Sequence, residues 1–166
     1  MELVKSEING YYCPDDPGEP VVGTQRLSVS DLEARFISEF AHGKDVLEIG
    51  TGLGVATRAL ASTAKLVSTV DIDKWVATNV DLPFSVMFYT TTKVIGSKSA
   101  NMAFIDGSHK TKDVVNDIEE CRRIVKPGGL FVFHDVSMQS VIDGILAAGM
   151  TVYETKFGSI GVAWND

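Results

Sequence analysis

Cysteine is nearly absent. Cys13 and Cys121 are the two thiols among 166 residues, and Cys121 falls on the apolar side of an expected helix, so a disulfide framework is disfavoured and a reducing compartment expected. Basic charge is short as well: 15 Lys and Arg stand against 22 Asp and Glu, a formal net charge of -7. A partner with a phosphate backbone needs clustered cations, which argues against nucleic acid. No apolar run approaches the ~20 residues that span a bilayer, so no membrane partner is expected. Glu2, Lys5 and Glu7 interrupt any apolar stretch at the start, where a signal peptide would need one. The expectation is a cytoplasmic protein. Internal repeats and low-complexity stretches are also missing.

What is present is an ordinary globular balance, 45% hydrophobic and 22% charged, in a length that suits one domain. The boundaries expected are a leader or lid segment over residues 1–27 and a single domain over residues 28–166. The turn-rich run Cys13-Pro14-Asp15-Asp16-Pro17-Gly18-Glu19-Pro20 cannot be a regular element. If this segment closes over a substrate, Tyr11 and Tyr12 are its aromatics. Ser30-Asp31-Leu32-Glu33 is a capping box that starts a helix. Leu32, Phe36 and Phe40 read as the buried stripe of that helix and Gly43 as its stop.

The chain is organised around Asp45-Val46-Leu47-Glu48-Ile49-Gly50-Thr51-Gly52-Leu53-Gly54. A short apolar run reads as a buried strand, breaks into three glycines at alternate positions, and gives way to a helical pattern from Val55. Such a junction brings backbone close to a ligand and aims free N–H groups at it, which outlines a nucleotide-cofactor site. The dinucleotide spacing G-x-G-x-x-G is not met, because Val55 or Thr57 fills the third glycine slot. Further strands are expected over residues 66–70, 84–89, 102–105 and 130–133, alternating with helices. Two β-rich runs, 151–155 and 160–164, surround Gly158-Ser159 as a terminal hairpin. The fold class is therefore α/β, a mostly parallel sheet with helices on both faces and a C-terminal antiparallel hairpin. Ligands of such sheets bind beyond the carboxyl ends of the strands. Residues 48–54, Asp71, residues 106–109 and His134-Asp135 all stand at such ends, so one cleft is expected to gather them.

The E-x-G-x-G-x-G stretch, followed by Val70-Asp71-Ile72-Asp73, Phe104-Ile105-Asp106-Gly107-Ser108-His109 and Lys126-Pro127-Gly128-Gly129-Leu130-Phe131-Val132-Phe133-His134-Asp135, resembles the class I S-adenosylmethionine-dependent methyltransferases over residues 30–166. The resemblance implies a Rossmann-like, doubly wound sheet and S-adenosylmethionine as cofactor. It places the cofactor against Glu48, Gly50, Thr51, Gly52 and Gly54, with Asp71 on the ribose hydroxyls and Ile72 beside it, while Asp73 is expected to cap the next helix. Thr90-Thr91-Thr92 depart from the acidic or amide residue that relatives show near the adenine. Amine methyltransferases carry Asn or Asp, then Pro-Pro and an aromatic, where this chain has Asp106-Gly107-Ser108-His109. Asp-x-x-His with a later His-Asp is similar instead to the subset that methylates hydroxyl groups of small molecules. Some of its members hold a divalent ion, which implies Asp106 and Asp135 as ligands for Mg²⁺. Asp106 and His109 are the catalytic candidates, with His109 as proton acceptor. His134 has the alternative reading of a buried histidine bonded to backbone. The competing function is a non-catalytic module of the same fold that binds the cofactor or a nucleoside, motivated by the short connection over residues 93–99, and aminopropyl transfer is a third. A small molecule is the expected partner, and a homo-oligomer is compatible with the sequence.

Overall fold

The computed structural model of the protein describes residues 4–6, 10–12 and 29–166. The lid expected over residues 1–27 lies outside them, apart from the backbone of two short strands, β1 (Val4–Ser6) and β2 (Gly10–Tyr12), which pair antiparallel. The main sheet contains β3 (Asp45–Ile49), β4 (Leu66–Val70), β5 (Val86–Tyr89), β6 (Ala100–Ile105), β7 (Val125–Phe133), β8 (Tyr153–Glu154) and β9 (Gly161–Trp164). Their spatial order is β5-β4-β3-β6-β7-β9-β8, parallel from β5 to β7 and antiparallel beyond. Among the described residues five α-helices flank it: α1 (Asp31–Ala41), α2 (Val55–Ala61), α3 (Lys74–Asn79), α4 (Thr111–Ile124) and α5 (Gln139–Ala147). This is the Rossmann-like α/β class expected, with its antiparallel C-terminal pair. No helix among the described residues is long and apolar enough to cross a membrane.

Side chains alternate across the strands, and the alternation builds two cores. Leu47 and Ile49, Ala103 and Ile105, and Phe131 and Phe133 face one layer, where Val114, Ile118, Cys121 and Ile124 of α4 and Val141 and Ile145 of α5 cover them. Val46, Met102, Phe104, Leu130 and Val132 face the other, covered by Ile37 and Ala41 of α1 and Ala56 and Leu60 of α2. The three phenylalanines are wholly buried, each stabilising the fold by roughly 1.5–3 kcal/mol relative to exposure.

Three local expectations need correction. In α1 the buried residues are Glu33, Ile37 and Ala41, whereas Leu32 and Phe40 are exposed. The apolar stripe is instead a surface cluster in which Phe36 stacks on Phe157 at 4.7 Å. The face one residue later turns inward because Glu33 finds buried partners, described below. The third strand starts at Val86, since a turn from Pro83 O to Val86 N (2.9 Å) leaves Phe84 in solvent. The fifth begins at Val125 and carries Pro127-Gly128-Gly129 within it. Asn165 makes this feasible: its side-chain amide donates to Val125 O at 2.9 Å, and its backbone pairs with Gly128 and Gly129.

From β3 the chain moves outward through β4 and β5, then crosses back so that β6 and β7 lie on the other side of β3. The strand order therefore reverses between β3 and β6, and the crevice of such a sheet opens at that point, beyond the carboxyl ends.

Candidate active site

The glycine loop leaves β3 at this reversal. Gly50, Gly52 and Gly54 all have positive φ, at 93°, 51° and 75°, a conformation only glycine adopts without strain. Gly50 is also steric: a Cβ there would stand 2.1 Å from the backbone oxygen of Asp106. The loop and the end of β6 are thus in direct contact. Around Gly52 a Cβ would meet nothing within 4 Å, so its backbone faces open space.

Asp71, at the end of β4, holds the loop. One carboxylate oxygen accepts from Gly52 N at 2.9 Å, the other from Asp73 N at 2.8 Å. A carboxylate has about four acceptor positions, so two remain for a ligand's hydroxyls. Asp73 caps α3 by accepting from Trp75 N, as expected. Ile72 stands 78% exposed beside Asp71, an apolar surface next to the polar loop.

Two candidates do not present side chains to the crevice. Glu48 is wholly buried beneath the loop, where it accepts from Thr57 Oγ1 at 2.6 Å and keeps its second oxygen unpaired. Burial, aided by the charges of Asp106 and Asp71, pushes its carboxyl up to about 8 despite that hydrogen bond. It is neutral near pH 7 and ties β3 to α2. The Thr51 hydroxyl is likewise buried, 2.6 Å from that of Thr69. Any contact Thr51 makes with a ligand is through its backbone.

The ends of β6 and β7 gather the remaining candidates around His134. Its Nδ1 lies 3.1 Å from Asp106 Oδ1 and 3.3 Å from Asp135 Oδ2, and its Nε2 lies 3.5 Å from Glu33 Oε2. Its side-chain partners are carboxylates, not the backbone groups of the alternative reading. Burial works against its charge, yet the three acids outweigh it and push its pKa up to about 12. Asp135 has φ 55°, a strained conformation for a non-glycine residue that turns its carboxylate toward both histidines. His109 Nε2 approaches Asp135 Oδ2 to 2.9 Å, within ion-pair range but at an angle short of a good hydrogen bond. Contact with Asp135 raises the His109 pKa against the pull of burial, with the charges of Asp135 and Asp106 adding and that of His134 subtracting. A small hollow touches Asp106, Ser108, His109 and His134 on its polar side and Ile105, Val114, Phe133 and Val141 on its apolar side.

The arrangement bears on both groups the resemblance implied. A nucleoside donor fits: the loop offers backbone and open space above Gly52, and Asp71 offers free acceptor positions. Mg²⁺ fits poorly. Asp106, His134 and Asp135 each offer one donor atom within 4.8 Å of the others, but Mg²⁺ takes oxygen ligands. Here an imidazole nitrogen sits between the two carboxylates and meets their charge. His134 already engages Asp106 and Asp135, which leaves the reading of these two residues as ligands for Mg²⁺ without support in this arrangement.

Sequence reasoning brought His134 to this cleft as a strand-end residue but missed Glu33 as a member of the cluster. The available signal was spacing: Glu33 shares the i, i+4, i+8 face of Ile37 and Ala41, and an acid on a buried face needs a partner.

Comparisons with known proteins agree with this architecture. A family model described as a methyltransferase domain matches residues 47–136, over half of the chain. No curated protein matches the sequence. Among solved structures, the O-methyltransferase TomG from Streptomyces achromogenes, determined in complex with SAM, aligns with a TM-score of 0.68 at 15% identity, covering 86% of this chain and 83% of that one. An O-methyltransferase from Bacillus cereus in complex with SAH gives 0.66 at 16%, covering 84% of each. The tRNA (m1A58) methyltransferase TrmI from Aquifex aeolicus gives 0.67 at 15%, covering 96% and 80%. At such identities the likeness is one of fold.

Proposed function

The chain belongs to the methyltransferase-domain family, and from that premise we propose that it transfers the methyl group of S-adenosylmethionine to a hydroxyl oxygen of a small molecule. On the donor side, the backbone of residues 50–54, the Asp71 carboxylate and exposed Ile72 form a cradle suited to a nucleoside. When bound, S-adenosylmethionine supplies an electrophilic methyl carbon on a sulfonium sulfur. Acid-lined walls at Asp71 and Asp106 suit its positive charge.

The observation that carries the hydroxyl reading is the His109–Asp135 pair at 2.9 Å, one strand away from the glycine loop. Displacement at the methyl carbon needs alignment and an acceptor oxygen that can shed its proton. Asp135 orients the His109 ring and stabilises its protonated form, the logic of a base steadied by a carboxylate. His109 would take the hydroxyl proton as the acceptor oxygen is methylated, and Asp135 would hold the resulting imidazolium; bound S-adenosylmethionine would supply the methyl group and leave as neutral S-adenosylhomocysteine. The net charge of -7 favours a small acceptor over a polyanion. Two O-methyltransferases among the structural neighbours support the same choice, while the tRNA enzyme makes the acceptor the point to test. Purified protein should form S-adenosylhomocysteine with some members of a panel of phenols, catechols and sugars. Turnover confined to amines or to tRNA would overturn the hydroxyl assignment.

A further inference from the structure

Glu33 belongs to a helix that supplies no other residue to the crevice, yet its carboxylate is 2% exposed and reaches the centre of the site. Oε2 accepts from Ser30 N at 2.7 Å and Ser30 Oγ at 2.8 Å, Oε1 accepts from Ser159 N at 2.7 Å, and Oε2 lies 3.5 Å from His134 Nε2. The hairpin turn is shaped to admit it: Gly158 has φ 63°, and a Cβ there would stand 2.2 Å from Glu33 Oε1. The same turn grips the segment after β7, since Val136 N donates to Ser159 O and Ser137 N to Ser159 Oγ. Helix α1, the β8–β9 turn and the strand-end residues His134 and Asp135 are thus joined through one buried acid. A capping box alone would need neither the burial nor the histidine.

We propose that Glu33 is a positioning residue for methyl transfer: it holds the His134 ring from behind, so that Nδ1 faces Asp106 and Asp135 and fixes both carboxylates for the base His109. The proposal rests on the hydroxyl-methylation reading for what the pair does, but on geometry for how it is held. The groups facing His134 are Asp106 from β6, Asp135 from its own segment and Glu33 from α1, with the like charge of His109 beside them. Two acids sharing one side of an imidazole would repel each other if the ring turned or lost its proton. Glu33 opposes both by placing negative charge at the opposite nitrogen.

The test is Glu33→Gln, which removes the charge and keeps one acceptor oxygen, enough for Ser30 or for Ser159 but not for both, read by nitrogen shifts of the His134 imidazole in cofactor-free protein. Wild-type His134 should carry protons on both nitrogens throughout the neutral range, and the variant, still held by Asp106 and Asp135, should lose its proton at lower pH than the wild type. Turnover should fall on the order of tenfold or more and its pH profile should shift, while S-adenosylhomocysteine affinity stays unchanged. Ser30→Ala, which removes the cap hydroxyl and keeps the charge, should lower thermal stability without altering the His134 signature. If Glu33→Gln does not fold, Glu33→Asp, which withdraws the charge by one methylene, should move the His134 signal in the same direction. An unchanged His134 signature in the folded charge variant leaves Glu33 a structural cap and overturns the proposal. Because the imidazole signal needs no acceptor, a shifted His134 in a protein that methylates nothing would sink the functional reading and leave the positioning role standing.

Discussion

His109→Ala removes the base while leaving the donor cradle intact, and the structure sets both the size and the pH dependence of the effect. The ring is 40% exposed and ends 2.9 Å from Asp135. Loss of a general base costs ~10²–10⁴ in rate, or about 3–5 kcal/mol of barrier. Cofactor affinity should not change. Because Asp135 raises the folded pKa of His109, the competent neutral imidazole accumulates only above the ordinary histidine range. Wild-type kcat should therefore rise with pH through an inflection above 6.5. Asp135→Asn should move that inflection to lower pH and also lower the plateau, since the ring loses its orienting charge. Asn tolerates the positive φ at this position, so the backbone turn should survive. Steady-state rates across pH for the three proteins provide the assay. A plateau unchanged in His109→Ala, or an inflection that stays fixed or rises in Asp135→Asn, would refute the assignment of the pair.

The first two loop glycines should separate stability from binding. Gly50→Ala drives a Cβ into Asp106 O and should lower the melting temperature and turnover together. Gly52→Ala meets no protein atom, so beyond ~1–2 kcal/mol of backbone strain its main effect should be weaker S-adenosylhomocysteine binding; equal melting losses in both would contradict this. Glu48 titrates at about 8 when folded against 4.5 when unfolded, so between those values the native state keeps a proton the unfolded chain has lost. Stability should fall as pH rises through that window, by about 5 kcal/mol at most from this group, and Glu48→Gln should flatten the decline seen by denaturant unfolding. Activity should persist in chelator, because His134 already meets the charge of Asp106 and Asp135; loss of activity with recovery on Mg²⁺ addition would show that an ion displaces the ring.

The parallel strands and the site's scaffold were legible because their signals are local. Apolar runs ended in Gly50, Asp71, Asp106 and His134, and a parallel sheet brings such ends together whatever the loops do. The capping box at Ser30 was legible for the same reason. Its second role was hidden: Glu33 meets Ser159 across 126 positions, and no periodicity encodes such a contact. Leu32, Phe36 and Phe40 misled because apolar spacing was equated with burial, although the buried face was chosen by the acid that found partners. Glu48 and Thr51 lay in the motif and were read as ligand contacts, but strand alternation turns Glu48 under the loop and Thr69 engages the Thr51 hydroxyl. His134 was visible as a strand-end residue; that three carboxylates surround it depended on α1 docking.

The central claim is that residues 50–54 and Asp71 hold the methyl donor, and calorimetric titration of S-adenosylhomocysteine into wild-type protein and Asp71→Ala tests it most directly. Asp71 can offer a ribose charge-assisted hydrogen bonds worth ~1.5–3 kcal/mol each. One-site binding to the wild type and a loss of affinity on the order of tenfold or more in Asp71→Ala is the result expected. Binding of NAD in place of S-adenosylhomocysteine, or an affinity indifferent to Asp71, would contradict it.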